Sequence, residues 1–159
     1  ATMSHGIRGK VGAIGLTKHG VLLTGVNGLP KPLGNVLETT GMGTVNLDEI
    51  DQNDLSRYNP VTDSFSIPKP PMRMITKVET IHAELNVVLK AALEGVSTEG
   101  CTIYVTLSPC PHCASLLAAA GVKRVVYLQD YRITTGIDIL KQCGIVVEKL
   151  EFRMPEYDN

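Results

Sequence analysis

Four residues in two short segments could together bind a metal ion and move protons. His82 and Glu84 are separated by one residue, and Cys110 and Cys113 follow further along the chain in a Cys-x-x-Cys spacing. An imidazole and two thiolates are zinc ligands, and a catalytic zinc site typically has three protein ligands and a fourth position open to water. These residues therefore predict a catalytic zinc site rather than a structural one.

Glu84 is predicted to move protons and not to bind the metal. Residues i and i+2 of a helix do not face the same way, so His82 and Glu84 could not both bind one ion comfortably. Near the start of a helix a carboxylate can still reach a water at the open position, and an apolar pocket would raise its pKa for acid–base work. Three alternatives stay open: a redox Cys-x-x-Cys pair, a zinc site closed by His112, and Glu84 as an exposed helix charge.

Length and composition limit the class of protein. A chain of 159 residues suits one domain, which we expect to span 1–159. The net charge of -1 argues against a polymeric nucleic acid as the partner, but not against a single nucleotide. Nothing in the sequence resembles a membrane span or a secretory signal, so we expect a cytoplasmic protein without a disulfide framework. Cys101 and Cys143 are expected to be buried as small hydrophobic residues.

Local patterns predict an α/β fold. Two apolar runs around a short loop ending in Gly20 predict a hairpin, and helices and strands alternate after it. Right-handed crossovers between parallel strands then give a mixed five-stranded sheet with helices on both faces, a three-layer α/β/α arrangement. We expect Thr80 and Ser108 to cap the first two helices. The predicted strands are 10–16, 21–26, 101–107, 124–129 and 145–150, and the predicted helices are 81–94, 109–120 and 134–142.

Residues 31–74 form a long insertion between the hairpin and the first helix. Glycine, asparagine, aspartate and proline are frequent there, and neither the helical nor the strand period persists. We expect a loop with one short helix near 47–55. Loops of this length within a compact domain are usually functional or mobile.

Several segments resemble the zinc-dependent cytidine deaminase superfamily and, within it, the deoxycytidylate deaminases. The similar segments are KVGAI (10–14), GVNGLP (25–30), IHAELN (81–86) and CTIYVTLSPCPHCA (101–114), which contain the H-x-E and P-C-x-x-C patterns of zinc deaminases. The resemblance implies a cytidine-deaminase-like fold, a Zn²⁺ cofactor and hydrolytic conversion of dCMP to dUMP and ammonia. Water would attack C4 of the pyrimidine while Glu84 moves the protons.

The resemblance also implies contacts with the substrate. A side chain in the GVNGLP turn would bind the deoxyribose hydroxyl, two backbone groups would read the base edge, and an aromatic–arginine pair would approach the base and the 5′-phosphate. Further cations near the first strand could bind the phosphate. Asn27 is the side chain in the turn, and Ala83 and Ser108 supply the two backbone groups. Tyr131 and Arg132 are the aromatic–arginine pair, and Arg8 and Lys10 are the further cations.

Assembly and regulation are implied by the resemblance alone. It implies a homohexamer, dCTP and dTTP as effectors, and Mg²⁺ bound with the regulatory nucleotide. The family has an N-terminal helix before the first strand, and since only Ala1–Gly9 precede Lys10, we expect this helix to be missing here. Two other functions stay open: deamination of cytidine, cytosine, guanine or transfer-RNA adenosine, and nucleotide binding by a catalytically silent zinc protein.

Overall fold

The chain forms two compact units. One consists of residues 1–37 and 78–159, and the other of residues 38–77. The computed structural model describes residues 10–42, 58–59, 64–65 and 72–151.

Helices and strands alternate from residue 83 onward, as the sequence predicts, and further strands lie between the initial hairpin and that point. In chain order the elements are β1 (Gly12–Leu16), β2 (Leu22–Val26), a 3-10 turn (Lys31–Leu33), β3 (Glu38–Met42), β4 (Tyr58–Asn59), β5 (Ser64–Phe65), β6 (Met72–Thr76), α1 (Ala83–Leu93), β7 (Thr102–Leu107), α2 (Pro111–Ala119), β8 (Arg124–Gln129), α3 (Thr135–Gln142) and β9 (Val146–Lys149).

The first unit is built on a five-stranded mixed sheet with strand order β2-β1-β7-β8-β9. Strand β1 is antiparallel to both β2 and β7, whereas β7, β8 and β9 are parallel. Each parallel step needs a crossover, which α2 and α3 provide. The predicted mixed five-stranded α/β sheet is therefore confirmed.

One face of this sheet carries the core. Ala13, Val105 and Tyr127 are neighbours in register and point to the same face. They belong to one buried cluster with Val87 and Ala91 of α1, and with apolar residues of α2 and α3. The three described helices therefore pack on a single face. The sequence predicted a three-layer arrangement with helices on both faces of the sheet. No described helix covers the opposite face.

Helix starts and one cysteine differ from the sequence predictions. His82, not Thr80, is the N-cap of α1, and Cys110, not Ser108, is the N-cap of α2. The hydroxyl of Thr80 is buried and finds no hydrogen-bond partner within the described part of the chain. Cys101 is buried as expected, but the expectation for Cys143 was wrong, because it follows α3 with its thiol exposed.

The second unit contains regular structure where the sequence predicts a loop. Strands β3 and β6 pair antiparallel, with Glu38 opposite Thr76, and the short strands β4 and β5 pair with each other. The local pattern did not reveal β3 because its sequence, ETTGM, contains glycine and no hydrophobic alternation. The predicted short helix at 47–55 lies outside the described residues. Among the described helices, none has the length and apolar character that crossing a membrane requires.

Candidate active site

Two helix N-termini supply the metal-binding side chains. His82 and Cys110 are both N-cap residues with extended backbone, at ψ 157° and 165° respectively. The His82 carbonyl accepts a hydrogen bond from the Asn86 N–H, and the Cys110 carbonyl accepts one from the Ala114 N–H, so each begins its helix. An N-cap side chain lies beside the free N–H groups of the first turn, where the helix dipole stabilises negative charge.

The donor atoms of His82, Cys110 and Cys113 form a compact cluster. Nδ1 of His82 lies 3.5 Å from the Cys110 sulfur and 3.4 Å from the Cys113 sulfur. All three donor atoms lie within 4.8 Å of one another. A tetrahedral zinc with ordinary Zn–N and Zn–S bonds would set each nitrogen–sulfur separation to about 3.6 Å. The three side chains therefore fit zinc with little movement.

The thiols of Cys110 and Cys113 interact and shift each other's pKa in opposite directions. A hydrogen bond from the Cys113 thiol lowers the pKa of Cys110 to about 3. The same hydrogen bond, together with burial, raises the pKa of Cys113 well above its ordinary value. Hydrogen bonding to Cys110 also raises the pKa of His82. Cys110 is therefore the thiolate of the pair, and zinc binding would release the remaining proton, since a coordinating thiol is deprotonated.

Glu84 is a buried carboxyl beside the donor cluster. It is 3% exposed, and desolvation by burial raises its pKa. The alternative of an exposed helix charge is therefore wrong. Among the described residues, the donor cluster contains one histidine and two cysteines, and neither Glu84 nor the exposed His112 belongs to it. This arrangement favours an open three-ligand site over a closed four-ligand one.

The turn after β2 is fastened to the start of α1. The Asn27 side-chain oxygen accepts a hydrogen bond of 3.0 Å from the Ala83 N–H. Asn86 donates a 2.6 Å hydrogen bond from Nδ2 to the Val26 carbonyl, and Gly28 forms a backbone bridge with residue 81. Asn86 was missed by sequence reasoning. A possible signal was an asparagine within a helix, where this residue is usually unfavourable.

The segment after β8 lies against Ser108. The Ser108 N–H donates to the Gln129 carbonyl at 2.8 Å, and its hydroxyl accepts a 2.8 Å hydrogen bond from the Tyr131 N–H. The Arg132 guanidinium lies 5.6 Å from the centre of the Tyr131 ring, within cation–π range. The structure thus brings Ser108, Tyr131 and Arg132 together. Lys10 is exposed on the segment before β1, and Arg8 lies outside the described residues.

Comparison with known proteins places the chain in a family. The profile described as "Cytidine and deoxycytidylate deaminase zinc-binding region" matches residues 1–129. The deoxycytidylate deaminase of Enterobacteria phage T4 is 37% identical over 150 residues, which cover 87% of this chain and 77% of the phage protein. The crystal structure of a dCMP deaminase from the cyanophage S-TIM5, in complex with dCMP and dUMP, superposes with a TM-score of 0.63. It is 35% identical and the match covers 94% of this chain and 87% of that one.

The chain therefore belongs to the cytidine and deoxycytidylate deaminase zinc-binding family. Zn²⁺ is its cofactor, held by His82, Cys110 and Cys113, as their spacing in the sequence predicted. ComE operon protein 2 of Bacillus subtilis is also similar, at 41% identity over 73 residues that cover 45% of this chain and 39% of that protein.

Proposed function

We propose that this protein catalyses the zinc-dependent hydrolysis of dCMP to dUMP and ammonia. The observation that carries the proposal is the buried Glu84 beside a three-ligand zinc site, an arrangement suited to activating water. The choice of dCMP rests on the similarity to the T4 enzyme and to the cyanophage enzyme that binds dCMP and dUMP.

Glu84 carries the protons of the reaction. Zinc supplies Lewis-acid chemistry at the site by lowering the pKa of a water. The Glu84 carboxylate accepts a proton from the attacking water and passes it to the ring nitrogen N3. It then takes the second proton of that water and gives it to the leaving amino group. Water oxygen replaces nitrogen at C4, ammonia leaves, and Glu84 returns to its initial state. Burial supports this role because a raised pKa lets one carboxyl both accept and donate protons near neutral pH.

The substrate contacts are proposed from the family resemblance and the positions of the side chains. Asn27 would bind the deoxyribose hydroxyl through its amide N–H₂, because its oxygen already accepts from Ala83. The Ser108 carbonyl would read the base edge, since its N–H is used by Gln129. The Ala83 N–H already donates to the Asn27 side-chain oxygen, so it would bind the base only if that hydrogen bond opens. Tyr131 would approach the base.

The 5′-phosphate would be bound by Arg132, with Arg8 and Lys10 as further cations. Comparing dCMP with deoxycytidine tests this assignment. We expect Arg132→Ala to raise the KM for dCMP and to leave turnover of deoxycytidine unchanged. If wild-type protein turned over both compounds equally well, the phosphate contacts would be wrong. A panel of cytidine, cytosine, guanine and a transfer-RNA anticodon stem tests the other bases.

Glu84→Gln is the decisive variant for the proposed function. The amide has the same shape but cannot accept a proton, so we expect dCMP turnover to fall by about 10²–10⁴-fold. Zinc content, measured by elemental analysis, should stay at the wild-type level because Glu84 is outside the donor cluster. Glu94→Gln at the C-terminal end of α1 is the matched control and should keep full activity.

Two results would contradict the proposal. Wild-type, zinc-loaded protein that does not hydrolyse dCMP would exclude the reaction and favour a silent nucleotide-binding protein. Loss of zinc from Glu84→Gln would show that this residue binds the metal or holds the site together.

Assembly and regulation stay predictions that the family resemblance supports. They are a homohexamer, and dCTP and dTTP as effectors bound with Mg²⁺. A cytoplasmic location stays a prediction from the sequence. Light scattering of the purified protein measures its oligomeric state. Deaminase rates with dCTP or dTTP, each with and without Mg²⁺, test the effectors.

A further inference from the structure

The zinc ligand Cys110 lies on a short peptide that contacts the start of α3. Ser108 and Pro109 precede it and follow directly after strand β7. Strand ends and helix caps are irregular backbone, so their exact path depends on what packs against them. Contacts with this peptide come from residues 131–136, between the end of β8 and the first turn of α3, and these residues follow the range 1–129 that the family profile matches.

Gly136 makes the closest of these contacts. It is buried in the first turn of α3, and a Cβ at this position would overlap the Pro109 carbonyl oxygen and lie 3.0 Å from the Cys110 carbonyl carbon. Both neighbours are backbone atoms, which cannot rotate away as a flexible side chain can. Glycine is less favourable than alanine within a helix. Its presence here is explained by the close approach of the two backbones.

Ser108, at the start of the same peptide, makes the second contact. Its side chain is 2% exposed, and its hydroxyl accepts the hydrogen bond from the Tyr131 N–H. The Ser108 N–H is bonded to the Gln129 carbonyl at the end of β8. The peptide of residues 108–110 is thus fixed by hydrogen bonds at one end and by backbone packing at the other.

We propose that the segment from Tyr131 to Gly136 positions the zinc ligand Cys110, with Ser108 and Gly136 as positioning residues. A Zn–S bond tolerates a displacement of only about 0.2 Å from its ordinary length. Inserting a methyl group at Gly136 requires the backbones to separate by about 1 Å, which is several times that tolerance. The zinc site is therefore completed by a helix that contributes no ligand to it. This inference does not depend on which base or nucleotide the enzyme uses.

Metal affinity is the first measurement, made by competition with a chromophoric zinc chelator. We expect Gly136→Ala to bind zinc about 10–100-fold more weakly than the wild type, the usual effect of disturbing groups that orient metal ligands. Ser108→Ala removes one hydrogen bond and should weaken binding by about fivefold. Substitution with Co²⁺ gives a second readout, because its absorption bands report the geometry around the metal. The bands should shift in Gly136→Ala.

Two control variants separate positioning from a general loss of stability. Gly121→Ala introduces a strained residue, at φ 76°, at the far end of α2 and should lower the melting temperature while leaving zinc affinity unchanged. Ser115→Ala makes the same chemical change as Ser108→Ala and removes an exposed hydrogen bond to the Pro111 carbonyl. It should bind zinc as the wild type does.

Wild-type zinc affinity and an unchanged cobalt spectrum in both positioning variants would overturn the proposal. An equal loss of affinity in the control variants would overturn it as well, because the effect would then be one of stability. If Gly136→Ala does not fold, the comparison of zinc affinity between Ser108→Ala and Ser115→Ala decides the question. Weaker binding in Ser108→Ala alone supports the proposal, and equal binding in the two variants overturns it. Because the readouts are metal binding and absorption, a protein inactive on dCMP would still test this inference.

Discussion

Gly25→Ala is expected to separate α1 from β2 and to destabilise the protein strongly. A Cβ at Gly25 would overlap the Ala83 carbonyl oxygen and lie 3.0 Å from the Val87 nitrogen, so the helix or the strand must move by about 1 Å. The same interface contains the 2.6 Å hydrogen bond from Asn86 to Val26 and the 3.0 Å bond to Asn27. A movement of that size stretches both bonds beyond roughly 3.5 Å, where they no longer hold.

The free-energy cost follows from these two effects. Losing two part-buried hydrogen bonds costs about 1 kcal/mol each. Forcing a methyl group into a close-packed interface costs about 1–3 kcal/mol more. We therefore expect Gly25→Ala to lower the free energy of unfolding by about 3–5 kcal/mol, a large fraction of the total for an ordinary domain.

Urea unfolding followed by circular dichroism measures this change. Zinc must be held at one saturating free concentration, since a ligand that binds only the folded state adds to apparent stability. Gly28→Ala is the control, because a Cβ there meets its nearest neighbour, Asn86 Nδ2, at an ordinary 3.7 Å. It should change the free energy of unfolding by less than about 1 kcal/mol. If Gly25→Ala were no less stable than Gly28→Ala, the close approach of α1 to β2 would be wrong.

Two further predictions concern the cysteines and the core. After zinc is removed by a chelator, iodoacetamide should alkylate Cys110 faster than Cys113, because Cys110 is the thiolate and the more exposed of the two. Zinc should protect Cys110, while the exposed Cys143 reacts in either state. Tandem mass spectrometry measures all three, and equal alkylation of Cys110 with and without zinc would contradict its role as a ligand. Leu117→Ala should lower the free energy of unfolding by about 2–5 kcal/mol, because this core side chain is only 1% exposed. Leu116 is 44% exposed, so Leu116→Ala should lower the free energy of unfolding by less than about 1 kcal/mol. The same urea assay measures both variants.

The sheet of the first unit could be predicted because its strands carry strong local signals. Strand β8 has the predicted bounds, 124–129, since its sequence is apolar and β-branched and a glycine precedes it. Strand β3 lacks such a signal. Its five residues form a strand through pairing with β6, which lies beyond an intervening stretch of chain, and no pattern within β3 encodes that partner. Long-range pairing therefore limits what local patterns reveal.

The distinction between local signals and long-range contacts also applies to the candidate site. The zinc ligands could be identified, and Glu84 could be proposed as the proton carrier, because their residue types and spacing reflect the chemistry itself. Asn86 and Gly136 could not, because each acts on backbone that is distant in sequence. An asparagine or a glycine in a helix is unusual, but only the folded structure shows which peptide it contacts.

The errors at the two helix starts have a physical cause of their own. Rules for N-caps select serine, threonine, aspartate and asparagine because these side chains accept hydrogen bonds from the first turn. In the described residues neither His82 nor Cys110 forms such a bond. Their side chains face a metal site instead, and the helix dipole then acts on the thiolate of Cys110 and not on a capping oxygen. A chain that places metal ligands at both N-caps gives up the stabilisation of two ordinary caps, and zinc binding must compensate. We therefore expect the starts of α1 and α2 to exchange amide hydrogens faster when zinc is removed.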